Sequence, residues 1–160
     1  MIRLFLLLFI AFIAAPNLSA QSTIFLVRHA EKASNDAKDP DLSEVGRARA
    51  EGLAKTLKDA NITVIYVTEF KRTQQTAEPL LRALHMRDDT VVSAKETEAL
   101  VTQLRAVEGN TLLVGHSNTL PDIIKAFGIS DSISIADNDY DDLFIIWNGT
   151  PAKLLHLHYH

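Results

Sequence analysis

The sequence contains no cysteine among its 160 residues. The chain can therefore form no disulfide and carries no lipoprotein attachment site, and an oxidising compartment places no constraint on it. The sequence also shows no internal repeat, no low-complexity tract and no linker that would separate two domains. Because 47% of the residues are hydrophobic, we expect one compact domain with its own core.

An excess of basic residues is also missing, since 16 Lys and Arg stand against 20 Asp and Glu for a formal net charge of −4. Proteins that bind nucleic acids usually present a basic face. We therefore expect no nucleic-acid partner. Any positive field should be confined to a pocket that is built from a few cations.

Residues 1–20 differ from the rest of the chain. Arg3 gives a positive start, residues 4–15 form an apolar core, and a small-residue segment ends at Ala20. This pattern predicts a secretory signal peptide, because the apolar run is too short and wrongly flanked for a membrane span. We expect cleavage after Ala20, an exported (periplasmic or secreted) protein and a single domain over residues 21–160. An uncleaved anchor is the alternative.

A continuous apolar run at residues 24–27 ends abruptly in Arg28 and His29. Four apolar residues between polar neighbours indicate a short strand that is buried on both faces. In an open α/β sheet, ligands bind beyond the carboxyl ends of the strands, so both side chains would face a pocket. Guanidinium binds phosphate as a bidentate donor, and imidazole serves as a nucleophile or acid–base group. The alternative is a surface Arg-His pair.

The second half of the chain repeats this arrangement. The apolar run at residues 111–114 is followed by Gly115 and His116, and Pro121 stands where a helix can begin. A single His is more often structural or on the surface than catalytic. Two apolar runs that both lead to His would bring two imidazoles to one edge of a sheet, which favours a catalytic site.

A third apolar run, residues 64–67, leads to Arg72 in the first turns of the next helix. The unpaired backbone N–H groups and the dipole of a helix start favour an anion there. The alternative is that Lys71 and Arg72 form a solvated basic step.

Helices are predicted between and after these strands. Ser43 has the character of a helix cap, and Gly128 follows the fourth helix as a stop signal. The predicted helices span residues 47–57, 72–84, 96–107 and 120–127, and two last strands, residues 143–147 and 153–158, are joined by the Asn148-Gly149 turn signal. Strands that alternate with helices predict an α/β fold, a three-layer α/β/α sandwich around a mostly parallel sheet.

Four segments together resemble the histidine phosphatase superfamily, also called the phosphoglycerate mutase-like family: LVRHAEK, DLSEVGRARAEGLA, TEFKRTQQTAEPL and TLLVGHSNTLP. The resemblance covers most of the chain after about residue 22. It implies that His29 is the nucleophile and that Arg28, Arg72 and His116 bind phosphate.

The sequence departs from the family pattern at a few positions. The usual Gly after the nucleophile is Ala30, Lys32 adds a cation beside the pocket, and Asn35 lies where mutase-type members carry an Asn that contacts phosphate. The Gly- and Trp-rich segment that carries the proton donor of mutases is not recognisable. The general acid is therefore open, with Glu98 as the first choice, Glu96 and Asp122 as alternatives, and no acid at all as the last possibility.

The C-terminal strand carries His156, His158 and His160 on one face. Imidazoles are common metal ligands. A solvated polar face explains the pattern more simply, so we expect no metal. Residues 137–142 are likewise interpreted as an acidic surface loop, because their spacing lacks the glycine and terminal Glu of a calcium loop.

These features predict a phosphatase that acts on a small phosphorylated substrate. His29 would attack phosphorus and form phosphohistidine, and water would release phosphate. The protein cations would stabilise the transferring group, so no metal or cofactor is required. A mutase-type phosphotransferase and a non-catalytic module that binds phosphorylated ligands are the alternatives. We expect no membrane span after signal removal.

Overall fold

The computed structural model describes residues 22–34 and 38–160. Within these residues, six strands form one sheet in the order β3-β2-β4-β1-β5-β6. The strands are β1 Thr23–Arg28, β2 Ile62–Thr68, β3 Thr90–Val92, β4 Asn110–Gly115, β5 Asp142–Trp147 and β6 Lys153–His158. The helices are α1 Glu44–Leu57, α2 Lys71–Ala83, α3 Thr97–Ala106 and α4 Leu120–Ala126. The predicted signal peptide and Asn35 lie outside the described residues.

Strands β3, β2, β4 and β1 pair in parallel, and β5 and β6 add an antiparallel hairpin beside β1. The prediction of a mostly parallel sheet is confirmed. In the β1–β4 register Arg28 stands opposite Gly115, so the residues that follow, His29 and His116, leave the sheet at the same edge. The fold thus brings together two motifs from distant parts of the sequence.

Alternate residues of β1 belong to two separate cores. Ile24 and Leu26 pack in the core on the side of α3 and α4, whereas Phe25 and Val27 pack in the core with α1 and α2. The strand is apolar throughout because both of its faces are covered by helices. This arrangement is the predicted three-layer sandwich.

Helix α1 begins at Glu44, directly after the predicted cap and three residues before the predicted span of residues 47–57. Ser43 is its N-cap, and its Oγ accepts a hydrogen bond from the Gly46 amide at 3.0 Å. A Cβ at position 46 would overlap the carbonyl oxygen of Glu31. Gly46 therefore allows α1 to pack directly against the segment that follows His29.

Two local expectations needed correction. Strand β3 was not predicted, because it has only three residues and is largely exposed, which leaves almost no apolar pattern. The β5–β6 connection runs over residues 148–152 instead of a two-residue turn, since Trp147 pairs with Lys153. Asn148 is used differently: its side chain donates to Ser22 Oγ and to the Arg105 carbonyl.

No helix within residues 22–34 and 38–160 has the length and apolar character that a membrane crossing needs.

Candidate active site

Two imidazoles meet where β1 and β4 end. The ring centroids of His29 and His116 lie 5.3 Å apart, with their planes at 64°. Both side chains are buried, as is that of Arg28. Polar residues of this kind are seldom buried without a partner or a function, so this edge of the sheet is the candidate site.

The orientation of His29 is set by the backbone. Its Nδ1 lies 2.8 Å from the carbonyl oxygen of Ala30. A carbonyl oxygen only accepts hydrogen bonds, so Nδ1 must carry the proton and Nε2 keeps its lone pair. The ring is therefore held in the tautomer that a nucleophile needs.

The surroundings keep both rings neutral. Burial lowers the pKa of His29 to about 3, against the opposing effect of the Ala30 carbonyl, and the nearby charged groups lower it further. Burial also lowers the pKa of His116 to about 4, and the Arg72 guanidinium contributes to that shift. Near neutral pH the lone pair on His29 is thus free to react.

His116 is fixed from two sides. Its Nε2 lies 2.9 Å from Thr68 Oγ1, at the end of β2, and the Phe70 ring meets the imidazole edge-on at a centroid distance of 5.3 Å. On its other side, Nδ1 lies 3.5 Å from a guanidinium nitrogen of Arg72. This ring nitrogen and the guanidinium thus face the same space.

Arg72 is the second residue of α2 and is about four-fifths buried, with a side-chain exposure of 17%. Its guanidinium lies over the Phe70 ring at 4.2 Å and 3.6 Å from the Asp39 carboxylate. Burial lowers the pKa of Arg72, whereas the charges of Asp39 and Glu69 oppose that shift. A buried guanidinium at a helix start is suited to bind phosphate.

Arg28 is held by a distant loop. Its Nη1 donates to the backbone carbonyls of Ala136, Asp137 and Asp139 at 2.8–3.1 Å, and its guanidinium lies 4.1 Å from the Tyr140 ring centre. Its Nε is buried and has no hydrogen-bond partner among the described residues. A buried donor without a partner is costly, so this N–H is a candidate contact for a phosphate oxygen.

A threonine of α2 connects these parts. The amide of Ala30 donates to Thr76 Oγ1, and the same hydroxyl donates to the Arg72 carbonyl. These two hydrogen bonds therefore fix the segment after His29 relative to the helix turn that carries Arg72.

The sequence profile agrees with this geometry. A model of the histidine phosphatase superfamily, branch 1, matches residues 24–100. The structure of the protein histidine phosphatase SixA in complex with tungstate is similar, with a TM-score of 0.71, 16% identity, and 85% of this chain and 96% of that chain covered. The chain thus matches the histidine phosphatase superfamily in sequence over residues 24–100 and shares the fold of its solved members over most of its length.

Further solved structures share the histidine phosphatase fold. A candidate phosphohistidine phosphatase SixA from Agrobacterium tumefaciens has a TM-score of 0.66 and 21% identity, with 84% of this chain and 97% of that chain covered. A mycobacterial glucosyl-3-phosphoglycerate phosphatase with inorganic phosphate has a TM-score of 0.65 and 14% identity, with 86% and 96% covered. At identities this low, the structural similarity establishes the fold alone. No curated protein sequence matches the chain.

Some of the predicted site residues lie away from the imidazoles. Lys32 is exposed and pairs through its backbone with Leu42. Glu98 is exposed on the first turn of α3, beside a surface depression of about 490 Å³ that it shares with Asp122. Glu96 lines a different depression, next to β3. The structure thus does not bring any of the three predicted acids against His29 or His116.

The sequence patterns did not single out two carboxylates that lie closer to the imidazoles. Glu69 influences both His116 and Arg72 by its charge, and its carboxylate accepts a hydrogen bond from the Ala94 amide at 3.1 Å. The Asp39 carboxylate accepts from the Lys71 amide. Thr68 and Tyr140 were missed as well. Glu69 and Thr68 begin the TEFKRTQQTA segment, so this motif could have indicated both residues.

Proposed function

We propose that the protein is a phosphatase that forms a phosphohistidine intermediate on His29. The observation that carries the proposal is the hydrogen bond geometry of His29, which leaves Nε2 unprotonated beside His116, Arg72 and Arg28. The match of residues 24–100 to the histidine phosphatase superfamily supports phosphatase activity. The active-site cations come from the protein, so we propose that the reaction needs no metal.

The first step is an in-line attack. The lone pair of His29 Nε2 forms a bond to phosphorus while the bond to the leaving group breaks, and the leaving group keeps that electron pair. Arg72, His116 and the unpaired Nε–H of Arg28 stabilise the charge on the equatorial oxygens. In the second step water attacks phosphorus, the P–N bond breaks, and its electron pair returns to His29. Inorganic phosphate leaves and the proton of water goes to solvent.

The proton for the leaving group sets the substrate class. Among the described residues, two carboxylates near the site already have other partners. Asp39 contacts Arg72 and the Lys71 amide, and Glu69 accepts a hydrogen bond from the Ala94 amide. A site without a committed acid favours leaving groups that depart readily. We therefore propose phosphoramidates, phosphohistidine foremost, over alkyl phosphates. The structural likeness to a protein named as a histidine phosphatase, SixA, supports this choice.

Rapid acid-free quenching during turnover tests the intermediate. With radiolabelled substrate, we expect the wild type to carry an acid-labile, alkali-stable phosphoryl group, whereas His29→Ala carries none and loses on the order of 10³-fold or more in rate. His160→Ala, an exposed histidine of the same chain, serves as the control. Turnover in folded His29→Ala would refute the assignment. Transfer of the label to a second acceptor indicates a mutase, and ligand binding without any turnover indicates a binding module.

A leaving-group series tests the substrate class. We compare phosphohistidine, aryl phosphate and alkyl phosphate by kcat/KM in the wild type, Glu69→Gln and Glu98→Gln. We expect the order phosphohistidine, aryl, alkyl, and we expect Glu98→Gln to match the wild type on all three. A selective loss on alkyl phosphate in Glu98→Gln would restore Glu98 as the acid, and the same loss in Glu69→Gln would assign it there.

We also propose that the protein is exported, on the pattern of residues 1–20 alone. Cell fractionation followed by N-terminal sequencing tests this. Material from the periplasm or the medium that begins at Gln21 supports the proposal. Material that begins at Met1 in the membrane fraction supports an uncleaved anchor instead.

A further inference from the structure

A second cluster of histidines lies on the antiparallel hairpin. Asp142, His156 and His158 each offer one ligand atom, and these three atoms lie within 4.8 Å of one another. His156 Nε2 is within hydrogen-bond distance of Asp142 Oδ1, and His158 Nδ1 lies 3.7 Å from the same oxygen. The three residues come from two different strands and converge on one point.

The strand register explains the convergence. Asp142 pairs with His158, and Phe144 pairs with His156, two residues along each strand. Residues two apart share one face of a sheet, so both imidazoles stand on the face that carries Asp142. The His156 ring is also stacked on Phe144 at a centroid distance of 4.3 Å, which limits its orientation. Asp142 and His156 are thus positioned without a bound ion.

The spacing suits one small cation. Donor atoms that bind a tetrahedral zinc ion at about 2.0–2.1 Å lie roughly 3.3 Å from each other, within the range that the cluster spans. Two imidazoles and one carboxylate are a donor set that zinc-type ions bind in proteins. The histidine side chains are 40% and 54% exposed, so an ion could enter from solvent and keep water at a fourth position.

The carboxylates of the cluster also favour a bound cation. The Asp142 side chain is only 3% exposed, and Asp141 lies next to it in sequence, with its carboxylate 3.2 Å from His158 Nδ1. A buried carboxylate is costly unless a positive charge compensates it. A divalent ion bound at this point would supply that charge.

We propose that Asp142, His156 and His158 bind a divalent transition-metal ion of the zinc class, outside the catalytic pocket. The sequence-based interpretation of a solvated histidine face did not include Asp142, and it counted His160, which is not part of the cluster. The ion would join the start of β5 to the end of β6. Tyr140, which covers the Arg28 guanidinium, lies two residues before Asp142. The ion would therefore stabilise the hairpin beside the loop that holds Arg28, and it takes no part in phosphoryl transfer.

Titration of the purified full chain with Zn²⁺ alone, followed by calorimetry, tests the proposal. We expect one site per chain in the wild type and a dissociation constant raised at least about tenfold in His156→Ala and in His158→Ala, a loss that even indirect changes cause at metal sites. Co²⁺ should give the visible absorption of a low-coordinate site in the wild type only. Zn²⁺ should raise the melting temperature of the wild type more than that of His156→Ala.

Two matched histidine variants locate the ion. His160→Ala removes a neighbouring exposed imidazole, and His29→Ala removes one of the catalytic pair; both should keep the wild-type affinity for Zn²⁺. The proposal is overturned if the wild type binds no Zn²⁺ with saturation. It is equally overturned if His29→Ala abolishes binding while His156→Ala and His158→Ala keep it. Because both hairpin histidines are exposed, their variants remain informative even if Asp142→Asn does not fold.

Discussion

The backbone amide of Ala30 donates a hydrogen bond to Thr76 Oγ1 at 2.9 Å. Thr76 is fully buried, and its hydroxyl also donates to the Arg72 carbonyl. One side chain therefore connects the segment after His29 to the helix turn that carries Arg72. We therefore expect the distance between His29 and Arg72 to depend on this connection.

Replacing Thr76 tests the connection. Thr76→Val keeps the shape but leaves the buried Ala30 amide without an acceptor, which should lower the free energy of unfolding by about 1–3 kcal/mol and reduce kcat. Thr56→Val is the matched control, since Thr56 Oγ1 makes a similar bond to the Gly52 carbonyl on an exposed surface. Urea denaturation measures both changes. Equal losses in the two variants would show that the Ala30 contact is unimportant.

Substitutions of two neighbouring basic residues, Arg72 and Lys71, test which of them binds phosphate. Arg72→Ala should weaken inhibition by inorganic phosphate or tungstate by roughly 1.5–3 kcal/mol, because a charged donor to the anion is lost. Lys71→Ala should change it little, since Lys71 is exposed. Inhibition constants at fixed ionic strength measure the difference. Similar effects of both substitutions would mean that the wrong residue has been placed in the pocket.

The two buried imidazoles make stability depend on pH. Their folded pKa values, about 3 for His29 and about 4 for His116, lie below the ordinary 6.5 of an unfolded histidine. The unfolded chain thus binds more protons below pH 6.5, and stability falls as pH decreases from there towards 4. Each histidine contributes a slope of up to about 1.4 kcal/mol per pH unit.

Denaturation of the wild type and of His116→Gln between pH 7 and 5 measures this slope. In the variant, the slope of the free energy of unfolding against pH should be smaller by the contribution of about one bound proton. An unchanged slope would show that His116 titrates normally in the folded protein. The same reasoning predicts that kcat/KM does not fall between pH 7 and 5 because of His29, since this ring stays neutral over that range.

Chelation separates the catalytic site from the proposed ion site. Activity should survive exhaustive treatment with a chelator, because Arg28 and Arg72 supply the positive charges around the phosphoryl group. The melting temperature should fall if an ion was bound at the hairpin. Loss of activity that one divalent ion restores would contradict the metal-free mechanism.

Much of the fold could be predicted because its signals are local. The apolar runs that lead to His29 and His116 are uninterrupted, since parallel strands are covered on both faces. Ser43 is also a local signal, because a helix cap acts within one turn, and it indicated the start of α1. Strand β3 was missed since its three residues carry no such pattern. It exists because it pairs with β2, which is a tertiary effect.

The sequence predicted which four residues meet at the candidate site, but it did not predict the residues that support them. His29, Arg28, Arg72 and His116 stand in short motifs, and the structure brings them together. Whether Glu98 can act as the general acid depends on where α3 lies relative to the imidazoles, which no local pattern reveals. The structure places Glu98 beside a separate depression. The carbonyls that hold Arg28 come from 108 to 111 residues further along the chain, and no local pattern reveals them.

That long separation bears on how the protein becomes active. A growing chain contains His29 and Arg28 almost from the start of its domain, but the cage of carbonyls around Arg28 is complete only after Asp139 has been added. Contacts between such distant positions form late, because closing a long loop is entropically unfavourable. Catalytic competence should therefore appear only with the last cooperative step of folding, so that recovery of activity serves as a stringent reporter of a fully formed native state.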